Sequence, residues 1–275
     1  MLFILLFALL FVILWTFFYA TGPALARVLA VTSRWTTHFR YRDYLPVLVI
    51  VAAGLVITAI AGDAFLDIAE RVHANAPRLE HMDTEMHAWA ATTRSQGATT
   101  FFVTLTIIGT PGVVAGIVIV AGVLLALRKH LAWGVYVVTT TALGGLINLE
   151  LKLYFARARP ELAEALRRAH GYSFPSGHAM GSAVAFGALS YVAFRLLHGW
   201  RTRATALAFA WSLTAGICIS RVYLGVHWFS DVCAGLAAGL LWFAIATVAY
   251  ETFRRIRRIR AQRLRVTGDA GGATA

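Results

Sequence analysis

WFSDVCAGLAAGLLWFAIATVAY, residues 228–250, carries a single charged side chain, Asp231, in a run long enough to cross a lipid bilayer. Further apolar stretches precede it at 1–20, 44–62, 100–127, 132–149, 179–194 and 204–219. The chain is 59% hydrophobic and 14% charged. This fraction of apolar residues is larger than the core of one soluble domain can bury. These features predict an all-α, polytopic membrane protein built as a bundle of transmembrane helices.

The distribution of positive charge predicts the orientation of the bundle. Groups of arginine and lysine follow the first, third, fifth and seventh stretches, which places these connections and the C-terminus in the cytoplasm by the positive-inside rule. The other connections then face outward, among them the acid-rich segment 63–99, where we expect amphipathic helices separated at Pro77. The net charge of +12 fits an arginine-rich tail held at lipid headgroups, so we expect no nucleic-acid partner.

The same pattern divides the chain into three parts. Residues 1–43 are predicted to form one extra transmembrane helix and a basic connector, because neither a basic flank nor a cleavage motif marks the first stretch as a signal peptide. Residues 44–250 would form the core of the protein. Residues 251–275 would form a basic cytoplasmic tail whose end is disordered.

Three polar clusters interrupt the apolar pattern, all on the predicted outer side. The first is KLYFARARP, residues 152–160, in which Lys152 and Arg159 would share a helix face if the helix persists that far. Pro160 is expected to end this helix near Arg159. Taken alone, the cluster fits snorkelling cations at a membrane boundary as well as it fits an anion site.

The second cluster is Pro175-Ser176-Gly177-His178, directly before an apolar helix. The first backbone N–H groups of that helix lack intrahelical partners and can bind an anion such as phosphate. Gly177 lets a ligand approach the backbone, and Ser176 can cap the helix or donate its hydroxyl. His178 could then give a proton to a leaving group. The alternative is that these four residues form an ordinary helix cap beside an interfacial histidine.

The third cluster is SRVYLGVHWFSD, residues 220–231, which contains Arg221, His227 and Asp231. His227 and Asp231 are four residues apart, so on a helix they can form a hydrogen bond. A carboxylate on one ring nitrogen fixes the tautomer and leaves the lone pair of the other nitrogen free to attack. A purely structural His–Asp pair is the alternative, but an aspartate in an apolar stretch is costly and favours a functional role.

Together these residues favour metal-free phosphoryl transfer. Cations and backbone amides suit a tetrahedral oxyanion, and arginine can bind phosphate with two N–H groups. The clusters contain no Asp/Glu group for Mg²⁺, and two histidines with one carboxylate do not predict a three-ligand zinc site. We therefore expect no metal and no cofactor, and a histidine nucleophile.

The clusters resemble the three signatures of the type 2 phosphatidic acid phosphatase (PAP2) superfamily, K-x6-RP, PSGH and SR-x5-H-x3-D, in order and without departure. The resemblance covers residues 80–250 and implies a core of six transmembrane helices. It implies that His227 attacks phosphorus and carries a phosphohistidine, that Asp231 orients His227, and that His178 protonates the leaving oxygen and then activates water. The residues that it implies for phosphate binding are Lys152, Arg159, Ser176, Gly177 and Arg221. It assigns no role to Arg157 or Tyr223.

The activity that this resemblance implies is hydrolysis of a lipid phosphate or pyrophosphate at the outer face of a bacterial plasma membrane. Undecaprenyl pyrophosphate, phosphatidylglycerophosphate and phosphatidic acid are the candidate substrates, and membrane lipids are the partners. Phosphotransfer to another lipid or sugar would use the same site. A vanadate-dependent haloperoxidase is disfavoured by the membrane stretches, and a transporter by polar groups that cluster at one boundary without an inverted repeat.

Overall fold

The computed structural model describes residues 2–35, 45–160 and 171–272, and each regular element in these ranges is an α-helix. The helices are α1 Leu2–Trp35, α2 Leu45–His73, α3 Pro77–Thr92, α4 Gln96–Ile108, α5 Pro111–Leu127, α6 Leu131–Phe155, α7 Gly177–Leu196, α8 Trp200–Tyr223 and α9 Phe229–Gly272. Within these ranges, six helices are long and apolar enough to cross a membrane, and α4 with α5 makes a seventh if the bent pair is one span. The predicted all-α membrane bundle is confirmed.

Two predicted features fall partly outside the described ranges. The basic connector after α1 includes residues 36–44, which lie outside them. The predicted disordered end includes residues 273–275, also outside, whereas α9 itself continues to Gly272. In the segment that is predicted to face outward, α2 runs on to His73, and Pro77 begins α3 as expected.

The stretch 100–127, expected as one crossing, is bent by 52° between α4 and α5. Pro111 is at the start of α5 and has no amide hydrogen to continue the hydrogen-bond ladder of α4. At the end of α4, a Cβ on Gly109 would lie 2.5 Å from Cγ2 of Ile217 and 3.3 Å from Cδ2 of His178. The bend therefore brings the tip of α4 against α8 and the first turn of α7.

Helix α7 lies at the centre of the bundle and packs against α6, α8 and α9. Its contact with α9 is made by small residues: a Cβ on Gly235 would lie 2.6 Å from the carbonyl oxygen of Ser176, and one on Gly239 would lie 2.9 Å from that of Met180. Close backbone approach through small side chains is the usual basis of helix packing in lipid. This contact fixes the start of α7 against the start of α9.

The outer helices expose apolar side chains, as a lipid-facing surface requires. Leu9 on α1, Ile60 on α2 and Leu124 on α5 are each more than half exposed. At the end of the bundle where α7 finishes, the fully buried Glu251 accepts hydrogen bonds from Arg195 at 2.9 Å and Arg255 at 2.8 Å. This ionic cluster ties α7 to α9 at the end of the bundle where α9 continues into its basic tail.

Candidate active site

All three polar clusters lie at one end of the bundle. There α6 and α8 end, at Phe155 and Tyr223, and α7 and α9 begin, at Gly177 and Phe229. The N–H of Ser176 donates to the backbone oxygen of Asp231 at 2.9 Å, so the second and third clusters are in direct contact. The first turn of α7, which carries His178, is thereby held beside the turn that carries His227.

His227 and Asp231 form the predicted hydrogen bond, although only Asp231 is helical. His227 lies in the connection between α8 and α9, and its Nδ1 is 3.3 Å from Oδ2 of Asp231. The same oxygen accepts the N–H of Trp228 at 3.0 Å. The aspartate therefore anchors both the ring and the backbone that precedes α9. Both side chains are buried, with exposed fractions of 2% for His227 and 0% for Asp231.

The second ring nitrogen of His227 faces an arginine. Nη1 of Arg159 lies 3.1 Å from Nε2 of His227. A guanidinium has only donors, so Nε2 accepts and carries no proton, and the ring hydrogen resides on Nδ1, where it faces Asp231. The surroundings thus assign a neutral imidazole with its lone pair at Nε2.

Burial keeps this imidazole neutral. The pKa of His227 is lowered from 6.5 to about 4, mainly by burial and to a smaller extent by the positive charges of Arg221 and Arg159, while the Asp231 carboxylate opposes the shift. At neutral pH, His227 therefore presents an unprotonated nitrogen. That is the form a nucleophilic histidine needs.

Lys152 and Arg159 meet without sharing a helix. The condition for a common helix face is not met, because α6 ends at Phe155 and Ala156 has a left-handed conformation with φ of 45°. Nζ of Lys152 and Nη2 of Arg159 instead both donate to the carbonyl oxygen of Tyr172, at 2.8 and 3.2 Å. The two cations are brought together by the chain that leads into α7.

Residues 156–160 are held in place by two segments that follow them in the chain. The N–H of Ser173 donates to the carbonyl of Arg157 at 2.9 Å, and the indole N–H of Trp228 donates to that of Ala158 at 3.2 Å. Arg157 and Arg159 are alternate residues, and both reach the His227–Asp231 pair. Arg159 contacts Nε2 of the ring, whereas Nη1 of Arg157 lies 2.7 Å from Oδ1 of Asp231.

Arg157 and its second partner, Asp83, were missed by the sequence analysis. Nη2 of Arg157 donates to Oδ2 of Asp83 on α3 at 2.8 Å, and Asp83 is only 1% exposed. A signal was available: Asp83 follows Leu79 by four residues and precedes Ala90 by seven, so it shares the buried face of α3 with them. A carboxylate on an apolar helix face needs a buried partner.

Ser176 and Gly177 begin α7 beside Lys152. Ser176 occupies the position before the helix, yet its hydroxyl makes no cap, and Oγ is buried without a hydrogen-bond partner among the described residues. A Cβ on Gly177 would lie 2.9 Å from Oδ1 of Asn148 and 3.7 Å from Cε of Lys152. A side chain at this position would displace the amide of Asn148, so glycine lets α6 lie close to the first amides of α7.

Arg221 is buried in the last turn of α8, where its Nη1 donates to Oγ1 of Thr106 at 2.6 Å. Thr106, on α4, is a further contact that the sequence analysis missed. Tyr223 has a packing role: its hydroxyl accepts the N–H of Ser95 at 3.0 Å, and its ring packs on that of Phe102. It joins α8 to the start of α4.

Two openings adjoin these residues. A polar cleft of about 450 Å³ lies between α2, α3 and residues 155–159, and Asp83, Arg157, Arg159 and Trp228 line it. A groove of about 350 Å³ runs between α5, α6 and α7, with apolar side chains and glycines along most of its wall. The groove extends from Gly177 and Asn148 to Val118 and Val138, and so leads from the start of α7 into the membrane-spanning region.

Comparison with known proteins finds a matching family model and related membrane phosphatases. A sequence model of the PAP2 superfamily matches residues 133–255, which contain all three clusters. The chain is 26% identical over 195 residues to phosphatidylglycerophosphatase B of Bacillus subtilis (strain 168), covering 70% of this chain and 95% of that protein. It is 29% identical over 128 residues to lipid phosphate phosphatase gamma of Arabidopsis thaliana, covering 44% of this chain and 57% of that one.

A solved structure has the same fold. The crystal structure of a transmembrane PAP2-type phosphatidylglycerolphosphate phosphatase from Bacillus subtilis superposes with a TM-score of 0.66 at 26% identity, covering 71% of this chain and 96% of that one. The family match, the membrane-spanning helices and the related phosphatases agree. The resemblance to the PAP2 superfamily is therefore confirmed, and these relatives indicate that the protein is an integral membrane phosphatase.

Proposed function

We propose that this protein removes the terminal phosphate of a membrane lipid, with His227 as the nucleophile. The observation that carries the proposal is the unprotonated Nε2 of His227, which lies 3.1 Å from the guanidinium of Arg159 at the bundle end where Lys152 and Arg221 also lie. A neutral nitrogen lone pair surrounded by cations and helix-start amides suits attack on a phosphoryl group.

The reaction has two steps. Nε2 of His227 attacks phosphorus while the bond from phosphorus to the lipid oxygen breaks, and His178 gives its proton to that oxygen. Water then attacks the phosphohistidine, His178 takes a proton from the water, and inorganic phosphate leaves with Nε2 regenerated. Asp231 stabilises the positive charge that His227 carries in the intermediate.

The phosphoryl oxygens would be held by groups that already face this region. Arg159, Lys152 and Arg221 supply positive charge, and the amides that begin α7 supply N–H donors near Gly177. The buried hydroxyl of Ser176, which has no partner among the described residues, can donate to the same oxygens. These groups supply the positive charge that a metal ion would otherwise provide.

The groove between α5, α6 and α7 supports a lipid substrate. It opens beside Gly177 and continues along the membrane-spanning part of α6, so an acyl or prenyl chain can stay in the bilayer while its phosphate reaches His227. The relatives are named for phosphatidylglycerophosphate and lipid phosphate, and a phosphatidylglycerophosphate-type substrate is therefore our first choice. Phosphatidic acid and undecaprenyl pyrophosphate follow it.

The positive-inside rule places this site at the outer face of the membrane and the C-terminus in the cytoplasm. Arg195 and the arginines after Glu251 lie at the end of the bundle away from His227, which agrees with this orientation. The proposed location is the extracytoplasmic face of a bacterial plasma membrane.

Phosphate release in detergent tests the function. The purified protein should release inorganic phosphate from each of the three lipids in the presence of EDTA, vanadate should inhibit it, and His227→Ala should abolish turnover. With H₂¹⁸O as solvent, the released phosphate should gain one ¹⁸O, which distinguishes hydrolysis from phosphotransfer to another lipid. Activity that requires a divalent metal, or that survives in His227→Ala, would contradict the proposal.

A further inference from the structure

A second carboxylate, Asp83, lies behind the His227–Asp231 pair and is connected to it by one arginine. The guanidinium of Arg157 donates from Nη1 to Oδ1 of Asp231 at 2.7 Å and from Nη2 to Oδ2 of Asp83 at 2.8 Å. The exposed fractions of the side chains are 1% for Asp83, 0% for Asp231 and 19% for Arg157. The arginine thus bridges two buried carboxylates, each held by a charge-assisted bond.

Asp83 also holds the start of the helix that carries Asp231. Its Oδ1 accepts the backbone N–H of Ser230 at 2.8 Å, and its Oδ2 is bonded to the hydroxyl of Ser230. Nη1 of Arg157 lies 2.8 Å from the same hydroxyl. Helix α3, residues 156–160 and the first turn of α9 are therefore joined through one network that ends at the oxygens of Asp231.

The second carboxylate changes the net charge that this network presents to His227. If Arg157 faced Asp231 alone, its positive charge would offset most of the field that Asp231 exerts on His227. With Asp83 on the other side of the guanidinium, the three groups sum to one negative charge. Asp231 then keeps the ability to stabilise a positively charged His227, while Arg157 fixes the direction of the carboxylate.

We propose that Asp83 is a positioning residue for His227 and acts through Arg157 and Asp231. The inference rests on the proposed function, since it concerns the phosphorylation of His227. Asp83 connects to Asp231 in two ways, through the guanidinium of Arg157 and through Ser230 in the first turn of α9. We assign its effect on His227 to the first, because Arg157 bonds directly to the carboxylate of Asp231. The role differs from simple anchoring of α3, which would affect stability without affecting the reactivity of the imidazole.

Asp83→Asn is the informative change, because it keeps the size of the side chain and one oxygen for the N–H of Ser230 while it removes the charge. We expect kcat to fall by about 10-fold to 100-fold, the range typical when the partners that orient a metal-ligating histidine are lost. We expect KM to stay within about threefold, since no phosphate-binding group changes. Glu85→Gln is the matched control: Glu85 is on the same helix, and its exposed carboxylate pairs with His81 at 3.2 Å. Its kcat should match that of the wild type.

A double-mutant cycle tests the route through Arg157. In an Arg157→Gln background, Asp83→Asn should cause little further loss of kcat, because the direct connection to the carboxylate of Asp231 is already broken. Multiplicative losses in the double variant would overturn the inference. So would a kcat for Asp83→Asn within twofold of wild type.

A readout independent of turnover separates this inference from the proposed function. In proton–nitrogen NMR spectra of histidine-labelled protein at neutral pH, the Nδ1 proton of His227 should shift in Asp83→Asn and stay in place in Glu85→Gln. If the wild-type protein releases no phosphate, the proposed function is wrong. If the Nδ1 proton of His227 does not shift in Asp83→Asn, the positioning role is wrong as well. If Asp83→Asn does not fold, Arg157→Lys, which keeps the charge but loses the two-pronged bridge, carries the same measurements and the same expected losses.

Discussion

Nη1 of Arg159 lies 3.1 Å from Nε2 of His227. This guanidinium nitrogen also donates to the carbonyl oxygen of Val226 at 2.7 Å. Nε of Arg159 is fixed in turn by the carbonyl of Gly171 at 2.9 Å. The guanidinium is therefore anchored by backbone on two sides and faces the nitrogen that we propose as the nucleophile. A phosphoryl group that enters between them would meet a cation and a lone pair together.

The low pKa of His227 predicts a particular loss of stability in acid. Its folded-state pKa of about 4 lies below the 6.5 expected in an unfolded chain, so between these values only the unfolded state binds the proton. The free energy of unfolding should therefore decrease as pH falls through this window, by up to about 1.4 kcal/mol for each pH unit. Thermal unfolding in detergent at pH 7, 6 and 5 should show a steeper decrease in Tm for wild type than for His227→Asn. Equal slopes would contradict the assigned state of His227.

Loss of His178 is predicted to lower kcat/KM most for substrates whose leaving oxygen is basic. His178→Asn should lower kcat/KM for a lipid phosphate by about 10²-fold to 10⁴-fold, the usual contribution of a general acid. The loss should be much smaller for p-nitrophenyl phosphate, whose leaving group needs no proton. Steady-state kinetics with both substrates check this. The same loss for both substrates would show that His178 does not protonate the leaving group.

Filling the groove should affect long-chain substrates selectively. Gly145 lines the groove, and no atom lies within 4 Å of the position of its missing Cβ, so a leucine there can occupy the channel without displacing a neighbour. We expect Gly145→Leu to lower kcat/KM for a long-chain phosphatidic acid by about 10-fold to 100-fold, because the phosphate is misplaced when the chain cannot enter. A water-soluble phosphate ester should be unaffected.

Gly116→Leu is the control for this experiment. Gly116 also has open space at its Cβ position, but it lies on α5 and is not part of the groove wall. Its kinetics should match those of wild type with both substrates. Equal losses in the two leucine variants would indicate a general effect on the membrane helices. They would contradict the proposal that the groove holds the lipid chain of the substrate.

The contact between α7 and α9 should depend on glycine at residue 239. A Cβ there would lie 2.8 Å from Cβ of Ala183 and 2.9 Å from the backbone oxygen of Met180, and neither atom can move freely. Gly239→Ala should therefore lower the free energy of unfolding by about 1–3 kcal/mol, as overpacking does in other cores. Thermal unfolding measures the effect, and Gly116→Ala, which meets open space, should not lower Tm. An unchanged Tm in Gly239→Ala would mean that the helices lie further apart.

The sequence predicted most of the fold because helix length and charge in a membrane follow simple rules. It also predicted the pairing of His227 with Asp231, since four residues suffice to bring them together. It did not predict the bend before Pro111 or the end of α6 at Phe155. The bend depends on how the end of α4 packs against α7 and α8, and the end of α6 depends on the hydrogen bonds that residues 156–160 make with Ser173 and Trp228.

The contacts that the sequence analysis missed are all between residues far apart in the chain. Arg157 is 74 residues from Asp83, and Arg221 is 115 residues from Thr106. Spacing rules apply within one helix or one short segment, so they cannot pair side chains on separate elements. Asp83 could have been suspected from its place on the apolar face of α3, but its partner could not.

Trapping of the covalent intermediate tests the central claim most directly. His178→Asn should still be phosphorylated by ³²P-labelled p-nitrophenyl phosphate but should lose the phosphoryl group slowly, because water is no longer activated. Quenching in alkali, in which phosphohistidine is stable, followed by peptide mapping should then place the label on His227 with close to one phosphate per protein. The variant that combines His178→Asn with His227→Ala should carry no label. Label on any other residue, or rapid turnover of the substrate with no labelled protein, would contradict His227 as the nucleophile.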